Sequence, residues 1–515
     1  MKPLSSCALF GAVRALGGIK DALILQHSVV GCQWGSLVFR YAGKPYDVRQ
    51  ASDVIYDEDV VNGGEKVLRK ALQEAERIFA HCGAVFVVSG CVPNMIGDDV
   101  DGILATTESS QKLLHVKAPG YAGNIDSGVE AAYLALLPLL QNAEKKQAAT
   151  INILGIMNDD PYADNDLAEL KKFLGSKVRV NCALQDCSLR DIAAMPQAEL
   201  NICFGYGEPL AKKMQEKFGV PYIKCAYPYG VAGMQKFLRQ LGEALKIDFS
   251  DELAELEAAA EKLVYRCADY LVNLYQLPVA LATDKAHLEG LQSFFAEELG
   301  MRVVVAEDTA EFSLDKMAEA AAKQNPVLFC GSSFLKNLAD TYQVPLVRCA
   351  YPAFDRLCFT DNTLVGARGA ALLIEQIVNG ALQQQYKSDG RYADPLLEVF
   401  AEEGLRDEIE SVGYLLYAEP RLSEQIFGAV YHYVVDDLRG ILARLLLAYK
   451  RQILGAYAQF RGVELDAALT LALGTQYADE LHHQRVGARL AVGFGPRRQL
   501  EVEHGHERVE ECRKE

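Results

Sequence analysis

The chain has 515 residues, of which 50% are hydrophobic and 23% are charged, and its formal net charge is -17. Such a length corresponds to about three or four domains, and the apolar fraction is high enough for each of them to bury a core. The negative charge disfavours a nucleic-acid binder or an anchor for anionic lipid, because both partners are polyanions. We expect a cytoplasmic protein that docks a partner protein through complementary charge.

The cysteine content does not indicate a secreted protein. No signal peptide is predicted at the start of the chain, and no apolar run is long enough to span a bilayer. The 13 cysteines are an odd number in a large chain, which disfavours a disulfide framework. Most of them are expected to be small core hydrophobes.

Short β-branched runs alternate with amphipathic stretches over residues 1–385, a rhythm typical of parallel sheets with crossover helices. In the first block, residues 21–27 and 84–89 predict strands, and residues 64–80 predict a helix. In the second block, residues 150–156, 177–183 and 200–204 predict strands, and residues 166–175 and 208–218 predict helices. In the third block, the predicted strands are 279–282, 301–306 and 326–330, and the predicted helices are 286–300 and 333–342.

A repeated segment links the second and third blocks. Residues 220–228 read Val-Pro-Tyr-Ile-Lys-Cys-Ala-Tyr-Pro, and residues 344–352 read Val-Pro-Leu-Val-Arg-Cys-Ala-Tyr-Pro. Such a repeat predicts two similar α/β units. The expected organisation is an α/β domain over 1–145, a second over 146–250, a helical bridge over 251–276, a third α/β domain over 277–387, and a mainly helical extension with a charged tail over 388–515.

Several cysteines lie where a sheet of this kind binds ligands, outside the carboxyl ends of its strands. The cysteines at or near predicted strand ends are Cys91, Cys203, Cys225, Cys330 and Cys349. Cys7, Cys32 and Cys91 all belong to the first block, with Cys32 expected in a loop directly after a strand. Thiolates on closely approaching backbone suit an iron–sulfur cluster, but this pattern taken alone favours plain core thiols.

Four segments change that interpretation, because they occur in order and resemble nitrogenase component 1. Several motifs in register are far more specific than any one of them. They are the stretch from Cys7 to Cys32 with Gly-Ile-Lys-Asp at 18–21, the Gly-Gly-Glu-Lys-Val-Leu of 63–68, Ser89-Gly90-Cys91 followed by Ile-Gly-Asp-Asp-Val at 96–100, and the Tyr-Pro-Ala-Phe-Asp-Arg of 351–356, which is similar to beta-type subunits.

The resemblance implies an α/β fold with three Rossmann-like parallel-sheet domains of the nitrogenase component 1 type. It also implies that Cys7, Cys32 and Cys91 hold an iron–sulfur cluster at a subunit interface. Three ligands leave a [4Fe–4S] cluster one short, so a sister subunit supplies the fourth ligand or the site is half of a shared eight-iron cluster. Either arrangement requires a homo- or hetero-oligomer.

A possible second metallocofactor is the other group that the resemblance implies, since members of the family hold one with a cysteine and a histidine. Cys203 aligns with that cysteine, and packing within the sheet is an equal alternative for it. No histidine occurs between His287 and His432, so Cys349 or Cys358 would have to replace the histidine. The simpler inference is that this chain holds no nitrogenase-type cofactor in the usual way, which argues against dinitrogen reduction. Beta-type subunits also lack that site, so the resemblance leaves open that the chain is the beta-like partner.

The implied activity is that of an anaerobic, nitrogenase-like oxidoreductase component. It would relay electrons from a separate ATP-dependent iron–sulfur reductase, through the interface cluster, to a bound substrate or metallocofactor. The chain has no Gly-rich phosphate loop and is not expected to hydrolyse ATP itself. Two alternatives stay open: a non-catalytic scaffold on which a metallocofactor is assembled, and a Rossmann-like binding protein with structural cysteines.

Overall fold

Three parallel sheets, each of four strands and each flanked by helices, make up the described part of a computed structural model of the protein. The structure describes residues 7–38, 49–143, 145–311, 313–358 and 360–388. The predicted α/β class with three parallel-sheet domains is confirmed. The predicted helical extension, beyond residue 388, lies outside the described residues.

The first sheet has the strand order β2-β1-β3-β4. Strands β1 and β3 are buried along their whole length, as expected for central strands that helices cover on both faces. The elements are α1 (Ala8–Leu16), β1 (Ala22–Ser28), α2 (Val30–Val38), β2 (Gln50–Val54), α3 (Asp57–Asn62), α4 (Glu65–Ile78), β3 (Ala84–Ser89), α5 (Cys91–Ile96), α6 (Val100–Thr106), β4 (Lys112–Lys117), α7 (Ile125–Leu134) and a 3₁₀ turn (Leu137–Leu139).

The second sheet has the order β6-β5-β7-β8, and a long helix leads from it to the third sheet. The elements are β5 (Thr150–Leu154), α8 (Ala163–Leu174), β6 (Arg179–Ala183), α9 (Leu189–Ala193), a 3₁₀ turn (Met195–Gln197), β7 (Leu200–Phe204), α10 (Glu208–Phe218), β8 (Tyr222–Cys225), α11 (Gly230–Leu245) and α12 (Ser250–Leu274).

The third sheet repeats the scheme with the order β10-β9-β11-β12. Its last helix, α16, packs back against α11 and α12. The elements are β9 (Pro278–Thr283), α13 (Lys285–Ser293), a π-helical turn (Phe294–Glu298), β10 (Arg302–Asp308), α14 (Leu314–Gln324), β11 (Leu328–Gly331), a 3₁₀ turn (Ser333–Leu335), α15 (Lys336–Tyr342), β12 (Leu346–Arg348) and α16 (Gly366–Ser388).

The repeated sequence segment is also a repeated structural unit. Strands β8 and β12 arise from the two copies, and each pairs in parallel with the third strand of its own sheet, β7 or β11. The three sheets fall within the predicted ranges 1–145, 146–250 and 277–387, and α12 covers most of the predicted bridge. The exact domain boundaries stay a prediction.

Two buried clusters join the sheets to one another. One runs from the first sheet into the second and contains Leu9, Val88 and Leu154. The other runs from the second sheet into the third and contains Ile153, Leu281 and Val347. Strands of the second sheet contribute to both clusters, so that sheet packs against both of the others.

The predicted helix over 286–300 is interrupted. It ends as α13 at Ser293 and continues as the π-helical turn, which carries the buried Glu298. The backbone N–H groups of Val231 and Ala232, in the first turn of α11, donate to the two carboxylate oxygens of Glu298 at 3.0 Å. Glu298 therefore caps a helix of the second sheet from an element of the third.

Glu298 is expected to make the free energy of unfolding depend on pH. Burial raises the pKa of this carboxyl from 4.5 to about 7, although the two backbone N–H groups favour its charged form. Between these pH values the folded chain keeps a proton that the unfolded chain has released, so stability falls as pH rises, by up to about 1.4 kcal/mol per pH unit. We expect Glu298→Gln to remove this contribution. In denaturant melts from pH 4 to 8, a constant difference between wild type and variant would contradict the assignment.

Candidate metal centre

The three predicted cluster cysteines each lie at the start of a helix. Cys7 is the residue immediately before α1, Cys32 is the third residue of α2, and Cys91 is the first residue of α5. Cys32 is therefore not in a loop as expected, because α2 begins only one residue after β1 ends. All three side chains are half-buried.

Gly120 marks the place where two of the thiols meet. A Cβ added at Gly120 would lie 2.6 Å from Cys7 Sγ and 3.5 Å from Cys91 Sγ. Both sulfurs therefore lie close to the same point beside Gly120. The backbone N–H of Gly120 donates to Cys91 Sγ at 3.2 Å. Two sulfurs and a backbone donor thus share a space that only a residue without a side chain leaves open.

Close helix packing brings the thiol of Cys7 to this place. A Cβ on Gly11 of α1 would lie 1.9 Å from the carbonyl oxygen of Ile125, and one on Gly128 of α7 would lie 1.8 Å from that of Ala8. The backbones of α1 and α7 therefore touch, which only glycine permits at these positions. A short bridge between Cys7 and Asn124 pairs the start of α1 with the residue that caps α7.

The thiols interact with one another electrostatically. Burial raises the pKa of Cys7, and the neighbouring Cys91 raises it further. Burial likewise raises the pKa of Cys32, and there Cys7 and Cys91 both add to the effect. As thiolates the three sulfurs would repel one another, so a cation between them is needed to hold all three ionised. Soft metals such as iron supply that charge and bind thiolates directly.

A buried histidine joins the sequence motifs around the cysteines. His27, at the end of β1, lies with Nδ1 2.7 Å from Asp53 Oδ2 and with Nε2 3.3 Å from Asp98 Oδ2. Asp98 follows α5, and its other oxygen accepts from the backbone N–H of Gly64, which precedes α4. The backbone N–H of Gly90 donates to the carbonyl oxygen of His27 at 3.0 Å. His27 thus ties the Cys91 segment to the strand that leads to Cys32.

Gly120→Ala is expected to lower metal retention, because the new methyl group would fall within 2.6 Å of Cys7 Sγ. Gly31→Ala is the matched control, since a Cβ at Gly31 meets nothing within 4 Å although the residue is next to Cys32. We expect a several-fold lower iron content for the first variant and an unchanged content for the second, measured on anaerobically purified protein. Equal iron contents would show that the space beside Gly120 is not needed.

Large apolar side chains are exposed beside the same cysteines. We call them the apolar rim: Val30 (60% exposed), Trp34 (70%), Met95 (72%) and Tyr121 (60%). Val30 and Trp34 flank Cys32 on α2, Met95 lies on α5 with Cys91, and Tyr121 follows Gly120. Exposed aromatic and aliphatic groups gathered around one site are typical of a surface that a partner protein covers.

The two cysteines of the predicted second metal site, Cys203 and Cys349, lie in different buried clusters. Cys203 lies on β7 in the buried cluster of the first and second sheets, whereas Cys349 lies after β12 in that of the second and third. Burial, and then the nearby Glu130 and Glu208, raise the pKa of Cys203, which disfavours its thiolate. The sulfur of Cys349 is 2.9 Å from that of Cys330. These surroundings argue against one metallocofactor held by both cysteines, and the second site stays a prediction.

The junction of the three sheets carries charged groups instead, which the sequence reasoning missed. We call them the ionic hub: Arg14, Asp159, Asp160, Asp284 and His287. The guanidinium of Arg14, 4% exposed, donates to Asp159 at 2.8 Å, to Asp284 at 3.2 Å and to Asp160. Asp159 and Asp160 follow β5, and Asp284 follows β9, so the strand-end rule applied to the cysteines would also have indicated these carboxylates.

Part of the ionic hub has the spacing of a metal site. One ligand atom each from Asp160, Asp284 and His287 lies within 4.8 Å of the other two. Asp160 and Asp284 each accept from the guanidinium of Arg14 through one oxygen, and the second oxygen of Asp284 is buried without a hydrogen-bond partner. Although burial alone lowers the pKa of Arg14, the three aspartates raise it well above its usual range, so the guanidinium stays charged there.

Among the described residues, no helix is long and apolar enough to cross a membrane.

Comparison with known proteins agrees with this architecture. The chain is 34% identical over 250 residues to the nitrogenase iron-molybdenum cofactor biosynthesis protein NifE of Clostridium pasteurianum, which covers 47% of this chain and about half, 54%, of that protein. It is 24% identical over 455 residues to the nitrogenase molybdenum-iron protein beta chain of Methanococcus maripaludis, which covers 75% of this chain and 96% of that one.

Structural comparison shows the same fold. The solved structure "Nitrogenase Cp1 at pH 6.5" superposes with a TM-score of 0.64 at 20% identity, over 76% of this chain and 94% of that one. A family model described as "Nitrogenase component 1 type Oxidoreductase" matches residues 7–382, a range that includes Cys7, Cys32 and Cys91. The chain therefore belongs to the nitrogenase component 1 type oxidoreductase family.

Proposed function

We propose that the chain is one subunit of a nitrogenase-like oxidoreductase component, and that Cys7, Cys32 and Cys91 hold an iron–sulfur cluster that it shares with a sister subunit. The observation that carries the proposal is the shared space at Gly120, where the sulfurs of Cys7 and Cys91 both lie beside the glycine and its backbone N–H donates to Cys91. An iron–sulfur cluster bound there would accept and donate single electrons.

The residues of this chain have separate tasks in that site. Three thiols at helix starts are the soft donors, and the glycine contacts between α1 and α7 hold in place the helix start that carries Cys7. The backbone N–H of Gly120 donates to Cys91 Sγ, and such hydrogen bonds to sulfur tune the reduction potential. The network of His27, Asp53 and Asp98 fixes the segments that carry Cys32 and Cys91.

The sister subunit follows from ligand number and from the surface. Three protein thiolates leave a [4Fe–4S] cluster one ligand short, and the apolar rim around them is suited to burial by another chain. A shared eight-iron cluster is the other form that half-sites on two chains allow. In either form, the cluster would receive its electrons from an ATP-dependent iron–sulfur reductase. Free thiols suit the anaerobic, cytoplasmic conditions that we propose for the complex.

A second candidate function is a scaffold on which a metallocofactor is assembled. The similarity at 34% identity to NifE, a cofactor biosynthesis protein by its name, favours it. Both functions use the same cluster site. Substrate-dependent electron uptake from the reductase would distinguish the oxidoreductase, whereas transfer of a bound metallocofactor to an acceptor protein would identify the scaffold.

Iron and sulfide analysis tests the proposed function. The chain, co-expressed with its sister subunit and purified without oxygen, is expected to contain iron and acid-labile sulfide in comparable amounts and to give an electron paramagnetic resonance signal on reduction. A complex without iron would favour the plain binding protein with structural cysteines.

Trp34 reports on the sister subunit, because it is the one tryptophan of the sequence and is 70% exposed beside Cys32. We expect its fluorescence emission to shift to shorter wavelength when a tryptophan-free sister subunit binds, since the indole then leaves water. Trp34→Asp should weaken the complex at least about ten-fold, as for an aromatic hot spot, whereas a substitution at the remote, exposed Tyr265 should not. An unshifted emission in a fully formed complex would place the interface elsewhere.

A further inference from the structure

The ionic hub lies where all three sheets contribute a segment. Arg14 is in the last turn of α1, beside the first sheet. Asp159 and Asp160 follow β5 of the second sheet, and Asp284 and His287 lie at the start of α13, directly after β9 of the third. The segments after β5 and β9 lie at the carboxyl ends of parallel strands, the position at which sheets of this type bind ligands.

Side chains of the protein fill this position. The guanidinium of Arg14 donates to three carboxylates, and the ring of Tyr351 lies 4.0 Å from its central carbon. A planar cation held by carboxylates at its edge and by an aromatic ring on its face has its main interactions satisfied from within the chain. Charge-assisted hydrogen bonds of this kind are the strong ones, so a cation that entered the hub would compete with the positive charge of Arg14 for the same carboxylates.

The histidine of the hub is engaged as fully as the arginine. His287 Nε2 lies 3.2 Å from Asp160 Oδ2, and Nδ1 lies 2.8 Å from the hydroxyl oxygen of Tyr229. The ring of Tyr227 packs against the ring of His287, with 4.4 Å between the two centroids. The hydroxyl of Tyr227 donates to the buried Asp166 at 2.7 Å. Both ring nitrogens therefore have protein partners, and neither is left for a metal without breaking a contact.

We propose that the ionic hub takes the place of a ligand at the three-sheet junction, so that the junction holds no metallocofactor and the chain is the cofactor-free member of its assembly. Cys203 and Cys349 support the same conclusion. Burial and two nearby carboxylates disfavour the thiolate of Cys203, and the sulfur of Cys349 already contacts the sulfur of Cys330. This inference rests on the proposed function in one respect, namely that an assembly exists. A substrate or metallocofactor of that assembly then binds on another chain.

A metal inventory of the whole complex tests the inference. Iron, molybdenum, vanadium, nickel, zinc and manganese are measured per chain after anaerobic purification of the wild type and four variants. Cys91→Ala reports on the cluster site, and Cys203→Ala and His287→Gln report on the junction. Cys267→Ala, in α12, is the control for loss of a buried thiol that belongs to neither. Electron paramagnetic resonance of each reduced complex gives a second readout.

We expect the iron bound to this chain to be lost only in Cys91→Ala, with metal contents and spectra of the other three variants equal to wild type. Loss of any metal in Cys203→Ala or His287→Gln, with the cluster signal intact, would overturn the inference. The His287→Gln result counts only if the variant folds and assembles. If it does not assemble, Cys203→Ala supplies the same test. Failure of the proposed function looks different, because iron would then be unchanged in Cys91→Ala.

Discussion

Replacing Cys91 with alanine is expected to remove the bound iron of this chain almost completely. Cys91 is the thiol that shares the Gly120 space with Cys7, and it is also the acceptor of the Gly120 N–H. Loss of an outer-sphere partner commonly costs about 10–100-fold in metal affinity, and a missing ligand costs more. The two remaining thiols would be left without the metal that holds them ionised, so the protein should be purified with little or no iron.

Cys82→Ala is the matched control for this variant. Cys82 belongs to the same domain but is buried in a separate hydrophobic cluster, with Leu68, Leu72 and Val85. Its replacement should lower stability slightly and leave the iron content unchanged. Iron and sulfide analysis, with the reduced-state resonance signal, provides the measurement. An iron content in Cys91→Ala equal to that of Cys82→Ala would remove Cys91 from the site.

Arg14→Met is expected to destabilise the fold more than any surface change. The substitution keeps an apolar stem of similar length but leaves the carboxylates of Asp159, Asp160 and Asp284 without their cation. Breaking a buried ion network by removing one partner costs about 3–5 kcal/mol. The hub joins segments from all three sheet domains. Its loss should therefore lower the apparent melting temperature of the whole described part and make its unfolding less cooperative.

Arg77→Met controls for removal of an arginine side chain. Arg77 is exposed and, among the described residues, its ion-pair partner is the likewise exposed Glu74 one helical turn away, an interaction that water screens and that contributes little. Calorimetric or circular dichroism melts of the two variants, taken under the same anaerobic conditions, are the measurement. Arg14→Lys should recover part of the loss, since it restores the charge but not the three-fold donor geometry. Equal melting temperatures for Arg14→Met and Arg77→Met would show that the hub contributes nothing.

The central strands could be predicted from the sequence because they are short, apolar and bounded by turns. Strands β3 and β7 were placed at their observed bounds, and both are buried throughout. The edge strand β2 was missed because Gln50–Val54 is polar and only one of its five residues is buried. Such a strand carries no hydrophobic pattern, and its pairing with β1 is decided by tertiary contacts.

The candidate site divides in the same way. Cys7, Cys32 and Cys91 could be singled out because sequence motifs surround them, although the site itself stays a prediction. The helix that begins beside Cys32 could not be foreseen, since Gly31 and Gly35 lower the helix propensity of that segment. The strand-end rule could have indicated the carboxylates of the ionic hub but not their pairing with Arg14, because Arg14 and Asp284 are 270 residues apart and a charged residue does not reveal its partner.

X-ray absorption at the iron edge of the anaerobically purified complex tests the central claim most directly. We expect a first shell of sulfur neighbours around iron and a second shell of iron, as thiolates and inorganic sulfide produce, and we expect both to vanish from this chain's site in Cys91→Ala. A first shell of nitrogen and oxygen without an iron neighbour, or no bound iron at all, would contradict the cluster at Cys7, Cys32 and Cys91.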